Sequence, residues 1–219
     1  MARRIRGCGD HCDAAMMGNH GGLCDNKASG IRAREDIMAS PKKLSHLVLQ
    51  TNRREQMRDW YCTVLGAEVL FQNRFICFIS YDDEHHRVAF IDPGPLADKK
   101  PAEGKTARAG GEVGLHHVAF TFGGLDELTE HYLELKEQGI QPHRCVNHGM
   151  TMSMYYYDPD HNQVELLIDN FATAIEGQNY MRGRKETDKN PVGIDFDPEE
   201  LVKQVRDGLR IEELVDINA

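Results

Sequence analysis

The chain has few of the features on which membrane and nucleic-acid proteins depend. No stretch offers the ~18 uninterrupted apolar residues of a membrane helix, so no membrane partner is expected. Basic residues are outnumbered: 26 Lys and Arg stand against 35 Asp and Glu in 219 residues, a formal net charge of −9. A polyanion attracts a basic face, so nucleic acid is not predicted as a partner either.

Cysteine is also sparse, with six residues, whereas histidine is abundant, with eleven beside a single tryptophan. The apolar segments around Cys62, Cys77 and Cys145 predict buried free thiols rather than disulfides. Free thiols favour a reducing, cytoplasmic location. The other proportions, 40% hydrophobic and 28% charged residues, are typical of a globular protein.

Residues 1–37 differ from the rest of the chain. They are rich in Gly, Asp, Asn, Arg and Ala without helical or strand periodicity, which predicts a disordered extension dispensable to the fold. Cys8, Cys12, His20 and Cys24 have a spacing that a zinc knuckle could use. No hydrophobic residues accompany them to build a small core, which favours coincidence, and zinc binding stays open.

An internal repeat organises the middle of the chain. Residues 44–51 (LSHLVLQT) and 115–122 (LHHVAFTF) both read as strands. Each is followed by a helical stretch, over residues 53–65 and 125–138, that stops at a glycine. Three short strands then follow in each half: 68–72, 75–81 and 86–92 in the first, 141–146, 151–157 and 163–169 in the second.

The predicted fold class is therefore α+β, with two βαβββ modules whose sheets form a shared cup around a metal site. The predicted segments are an extension (1–37), a first module (38–92), a linker loop (93–113), a second module (114–169) and a tail (170–219). In the tail, Asp197 and Pro198 predict the start of a short helix and Gly208 its stop.

The repeat also singles out metal ligands. It aligns His46 with His117, but it aligns Ala89 with Glu165. Two imidazoles and one carboxylate, with open positions left over, are the ligand set of non-haem Fe(II) oxygen chemistry. Glu165 lies in an apolar strand and needs a cation, which is either a metal or a buried arginine. Strand alternation allows one of the neighbours His116 and His117 to face the cup, and the repeat selects His117.

These residues resemble the vicinal-oxygen-chelate superfamily, which includes glyoxalase I, fosfomycin-resistance proteins and type I extradiol dioxygenases. The resemblance is greatest to the one-domain extradiol catechol dioxygenases of the biphenyl-2,3-diol 1,2-dioxygenase type. Four stretches carry it: residues 44–50, 82–91, 115–120 and 148–171, the last (HGMTMSMYYYDPDHNQVELLIDNF) being the most specific.

The resemblance implies that His46, His117 and Glu165 hold Fe(II), and the same ligands accept Mn(II). It implies that His86 acts near the oxygen position as general acid. Tyr155, ten positions before Glu165, would hydrogen-bond a substrate oxygen. His148 would be a further histidine that assists substrate deprotonation, although its seven-residue spacing to Tyr155 is shorter than in the two-domain enzymes. His161 replaces the usual glycine of a turn and is interpreted as a turn residue with positive φ.

The implied function is extradiol ring cleavage, in which both atoms of O2 enter a small aromatic diol resembling 2,3-dihydroxybiphenyl. The alternatives are a glyoxalase, an epimerase or a fosfomycin-type thiol transferase on the same scaffold, and a metal-free module that binds an aromatic ligand. The substrate and the oligomeric state, including a homo-oligomer, stay open. Pocket and core roles have equal weight for Trp60, Phe71, Phe75, Phe78 and the methionines of residues 150–154.

Overall fold

The computed structural model describes residues 40–100 and 113–217 of the chain. The extension of residues 1–37, the cysteine-rich zinc candidates Cys8, Cys12, His20 and Cys24, and most of the linker lie outside the described residues.

Each half of the described chain has the element order that the repeat predicts. The first module contains β1 (Leu47–Gln50), α1 (Arg54–Leu65), β2 (Glu68–Gln72), β3 (Ile76–Ser80) and β4 (Val88–Ile91). The second contains β5 (His117–Thr121), α2 (Leu125–Glu137), β6 (Arg144–Asn147), β7 (Thr151–Tyr157) and β8 (Gln163–Asp169). The α+β class with two βαβββ modules is confirmed.

The tail adds α3 (Ala174–Gly183), β9 (Ile194–Asp195), α4 (Pro198–Arg206) and a short 3-10 helix (Ile211–Leu214). The predicted start of α4 is correct, because the Asp197 side chain accepts a hydrogen bond from the Glu199 backbone N–H at 2.9 Å and Pro198 opens the helix. Helix α3 was not predicted. No helix within the described ranges combines the length and the apolar character that crossing a bilayer requires.

The strands form two mixed sheets, in the orders β1-β4-β3-β2 and β5-β8-β7-β6-β9. In each module the first strand runs parallel to the last one, and the other pairs are antiparallel. The described strands therefore form two sheets, one per module, with no strand pairing between the two.

The register of the parallel pairs gives the repeat a structural basis. Val48 lies opposite Ala89 in the first sheet, and Ala119 lies opposite Glu165 in the second. Ala89 and Glu165 thus hold equivalent places. Because side chains alternate along a strand, Ala119 and Glu165 share their face with His117, two residues before Ala119.

The opposite face of each sheet packs on the helices. Helix α1 buries Met57, Tyr61 and Val64, and α2 buries Leu128, Tyr132 and Leu135. Met152 and Met154 join this core, and Trp60 packs against it while partly buried. Of the aromatic and methionine candidates, these three therefore have their core role.

Candidate active site

Glu165 is a buried carboxylate at the centre of β8. Its side chain is 6% exposed, and its Oε2 lies 2.9 Å from Nε2 of His117, whose side chain is 33% exposed. The two residues come from neighbouring parallel strands, so the sheet itself brings imidazole and carboxylate together. Among the ion pairs of the described residues, Glu165 pairs with His117 and with no arginine. The cation that Glu165 requires is therefore His117 or a metal ion.

Tyr155 is the second partner of Glu165. It lies directly opposite Glu165 in the antiparallel β7–β8 pair, and its hydroxyl donates to Glu165 Oε1 at 2.9 Å. This pairing explains the ten-residue spacing, because the strands are joined by a tight turn. His161 in that turn has φ 61°, so its interpretation as a turn residue is confirmed.

The electrostatics keep Glu165 ionised. Burial raises the pKa of Glu165, but hydrogen bonds from His117, Ser153 and Tyr155 lower it by more, so its pKa lies below the usual range. Burial raises the pKa of Tyr155, and the neighbouring Glu165 carboxylate raises it further. The pair therefore holds an anionic carboxylate beside a neutral phenol at neutral pH.

His148 extends this arrangement by one residue. Its Nε2 lies 2.9 Å from the Tyr155 hydroxyl, and its Nδ1 contacts the backbone carbonyl of Val192 in the tail. A carbonyl oxygen only accepts, so Nδ1 carries a proton and Nε2 faces Tyr155. The contacts of the second module thus run from His117 through Glu165 and Tyr155 to His148.

His46 and His86 form a separate cluster in the first module. Their rings stack with centroids 4.3 Å apart, and His85 joins them with Nδ1 2.6 Å from Nδ1 of His86. Burial lowers the pKa of His86, and the neighbouring His46 and His85 lower it further.

The six predicted site residues accordingly fall into two groups, four in the second module and two in the first. In residues 40–100 and 113–217, the one set of three His, Cys, Asp or Glu residues with ligand atoms within 4.8 Å of one another is His46, His85 and His86. His46 is not brought within that distance of both His117 and Glu165. The ligand set of His46, His117 and Glu165 stays a prediction.

An aromatic wall borders the first cluster. The Phe78 ring centroid is 4.6 Å from that of His86, and Phe71 is 6.1 Å from Phe78 on the neighbouring strand. Phe71 and Phe75 are more than half exposed at 51% and 54%. The Phe71 and Phe78 rings are therefore available to contact a ligand beside His86, in contrast to Trp60 and the buried methionines.

The sequence reasoning missed His85 and Ser153. His85 contacts His86 in the loop before β4, where strand alternation does not apply. His116 likewise lies just before a strand, β5, and its Nδ1 is 2.7 Å from Nδ1 of His117. Ser153 could have been found from its place two residues before Tyr155, on the same strand face.

Known proteins resemble the chain over most of its length. A family model for the Glyoxalase/Bleomycin resistance protein/Dioxygenase superfamily matches residues 43–166. The protein "Biphenyl-2,3-diol 1,2-dioxygenase 2" of Rhodococcus globerulus is 48% identical over 74% of this chain and 80% of its own. "Biphenyl-2,3-diol 1,2-dioxygenase 3" of the same organism is 44% identical over 81% of this chain and 89% of its own.

Among solved structures, a lactoylglutathione lyase from Agrobacterium tumefaciens is 18% identical, with a TM-score of 0.45 over 59% of this chain and 96% of that one. The matched residues 43–166 run from just before His46 to the strand that carries Glu165. The chain therefore belongs to the glyoxalase, bleomycin-resistance and dioxygenase superfamily.

Proposed function

We propose that the protein is an Fe(II)-dependent extradiol dioxygenase that cleaves a small catechol-type diol, of which 2,3-dihydroxybiphenyl is the first to test. The observation that carries the proposal is the buried Glu165 carboxylate, held by His117 on one oxygen and by Tyr155 on the other. The 44–48% identity to two proteins named biphenyl-2,3-diol 1,2-dioxygenase supports the same activity.

The donor chemistry fits ferrous iron. His117 and Glu165 offer an imidazole nitrogen and a carboxylate oxygen from adjacent strands, and His46 would supply the second imidazole. Three protein ligands would leave open positions on the ion for the diol and O2. The small Ala89, in the place equivalent to Glu165, adds no fourth ligand. Bound iron would supply the contact through which electrons pass from the diol to O2.

The chain's own residues would position the diol and move its protons. Tyr155 presents a neutral hydroxyl beside the metal carboxylate, where it can hydrogen-bond a diol oxygen. His148, fixed by the Val192 carbonyl, can exchange a proton with Tyr155 and so assist deprotonation of the diol. His86, beside Phe78, would be the general acid on the oxygen side.

In the overall reaction one ring C–C bond next to the diol breaks and both atoms of O2 enter the product, so no external reductant is required. The free thiols of Cys62, Cys77 and Cys145 favour a reducing, cytoplasmic setting for this chemistry, in which Fe(II) persists. Mn(II) would occupy the same donor set.

Anaerobic loading of the full chain with Fe(II), followed by 2,3-dihydroxybiphenyl and air-saturated buffer, tests the proposal. We expect consumption of O2 and diol in equal amounts and a yellow ring-fission product. Iron uptake without colour or O2 consumption for any catechol would instead favour another metal-dependent enzyme of the superfamily. Diol binding without metal uptake would favour a binding module.

A further inference from the structure

We propose that His46, His85 and His86 form a second cation site, which takes a zinc-like divalent ion and competes with iron for His46. The three imidazoles have ligand atoms within 4.8 Å of one another, all in the first module. Glu165 is not one of the ligands of this site. The competition with iron rests on the proposed function, whereas the cation site itself does not.

The distances are close to those that one ion requires. Zinc–nitrogen bonds are about 2.1 Å long, so two nitrogens on one ion lie no more than about 4.2 Å apart. The two Nδ1 atoms of His85 and His86 are 2.6 Å apart, a hydrogen-bond distance, whereas two nitrogens on a tetrahedral zinc lie about 3.4 Å apart, so the pair must open by about 0.8 Å to hold one ion. The His85 side chain is 63% exposed, and His46 is also exposed, so rotation of these rings can bring the third nitrogen closer.

A carboxylate lies beside the site, just beyond hydrogen-bond distance of the His85 ring. With Nδ1 of His85 facing His86, Nε2 faces Glu84 and lies 3.6 Å from its Oε1. A ligating histidine usually donates its other ring N–H to a carboxylate, which fixes the ring and makes the ligating nitrogen more basic. Glu84 is itself 11% exposed and contacts Lys43, so it is held in place by the fold.

The donor set selects the kind of ion. Three neutral imidazoles without a carboxylate in contact with the metal suit Zn(II), Cu(II) or Ni(II) better than Fe(II), because affinity for nitrogen ligands rises along the first-row series. An ion in this site occupies His46 and also His86, the proposed general acid. We therefore expect zinc to inhibit ring cleavage by removing two groups from the iron site at once.

Calorimetric titration of the full chain with zinc tests the site. All variants carry Glu165→Gln, because this substitution removes one of the three proposed iron ligands. E165Q should bind zinc, and E165Q with His85→Asn should lose one equivalent or bind it at least about tenfold more weakly. E165Q with His161→Asn is the matched control, since Asn tolerates the positive φ of that turn. Any zinc held by the cysteines of residues 1–37 is common to all three and cancels.

A Co(II) spectrum supplies a second readout, because loss of an imidazole ligand changes the visible bands of the bound ion. Equal zinc binding and equal spectra for E165Q with and without H85N would overturn the site. On the iron-loaded wild-type chain, half-inhibition should require about tenfold less zinc than on H85N, each measured against its own zinc-free rate. Equal inhibition of the two would overturn the competition.

The two proposals fail separately. Zinc binding that depends on His85, in a chain that never cleaves a catechol, would refute the dioxygenase proposal and leave the cation site. Catechol cleavage by a chain whose E165Q form takes up no zinc would refute the cation site and leave the dioxygenase proposal.

Discussion

One carboxylate distinguishes the two halves of the molecule at the level of single residues. Ala89 and Glu165 hold equivalent positions. Ala89 lies opposite the residue two positions after His46, and Glu165 lies opposite the residue two positions after His117. Replacing a methyl group by a buried carboxylate is costly unless a cation compensates it, and in the second module hydrogen bonds from His117, Ser153 and Tyr155 keep that carboxylate ionised. The proposed iron site follows from this difference.

Replacing Glu165 with alanine should abolish both iron binding and turnover. Loss of a group that only orients a ligand costs about 10–100-fold in metal affinity, so loss of the ligand itself should exceed about 100-fold. Iron per chain after gel filtration and the rate of ring cleavage measure the effect. Asp169→Asn, at the exposed end of the same strand, is the control. An E165A chain that kept stoichiometric iron and full activity would refute the assignment.

Replacing Tyr155 with phenylalanine should leave iron bound but slow turnover by about 10–100-fold, because the ring stays while the hydroxyl between Glu165 and His148 is lost. Steady-state kinetics with an iron assay separate the two effects. Tyr157→Phe, on the same strand and stacked on His143, should behave like the wild type. Equal rates for Y155F and Y157F would refute the role of Tyr155.

At the scale of elements, the tail closes the second module. Strand β9 pairs with β6, and Val192 just before it contacts His148. Gly193 makes this approach feasible, since it has φ 125° and a Cβ there would lie 2.4 Å from the Asn147 carbonyl oxygen. The tail is therefore part of the candidate site.

Gly193→Ala should destabilise the protein by about 1–3 kcal/mol, because the alanine meets backbone and requires a strained φ. It should also slow ring cleavage, since the Val192 carbonyl moves away from His148. Urea unfolding and turnover measure both effects. Gly183→Ala, which meets nothing within 4 Å, should be near neutral. A G193A chain as stable and active as G183A would contradict this role of the tail.

Helix α4 docks on α2 through Glu199, which contacts Lys136 and Tyr132. The hydrogen bond from Lys136, followed by that from Tyr132, lowers the pKa of Glu199 in the folded protein. A carboxylate of this kind stabilises the fold above its unfolded pKa, and the benefit is lost as pH falls through the lower folded pKa. The stability difference between wild type and Glu199→Gln, measured in urea, should therefore shrink from pH 7 to pH 3. A constant difference would contradict it.

The elements differ in how well sequence patterns predicted them. Strands β7 and β8 have the predicted bounds, 151–157 and 163–169, because a clear turn separates them. Helix α3 was missed because it buries none of its residues and contains Gly177, so it has no apolar stripe. Its one sequence signal is the capping box of Thr173 and Glu176.

For the whole molecule, the two-module fold was predictable because each sequence pattern of the first module occurs again in the second. Which histidines lie together in each module was not predictable. Sequence alignment treats His46 and His117 as equals, yet His46 lies with His85 and His86, and His117 lies with Glu165. Side-chain contacts between residues in loops and at strand starts depend on tertiary packing, to which strand alternation gives no guide. His46 is therefore common to the proposed iron site and the proposed zinc site.

The proposed activity inserts both atoms of O2 into a catechol. Its most direct test is a single turnover of the Fe(II)-loaded chain with 2,3-dihydroxybiphenyl under isotopically labelled O2, with mass spectrometry of the product. We predict a ring-opened acid that carries two labelled oxygen atoms, and none of it from Glu165→Ala. An iron-loaded chain that binds the diol but returns it intact, or a product without both labels, would contradict the claim.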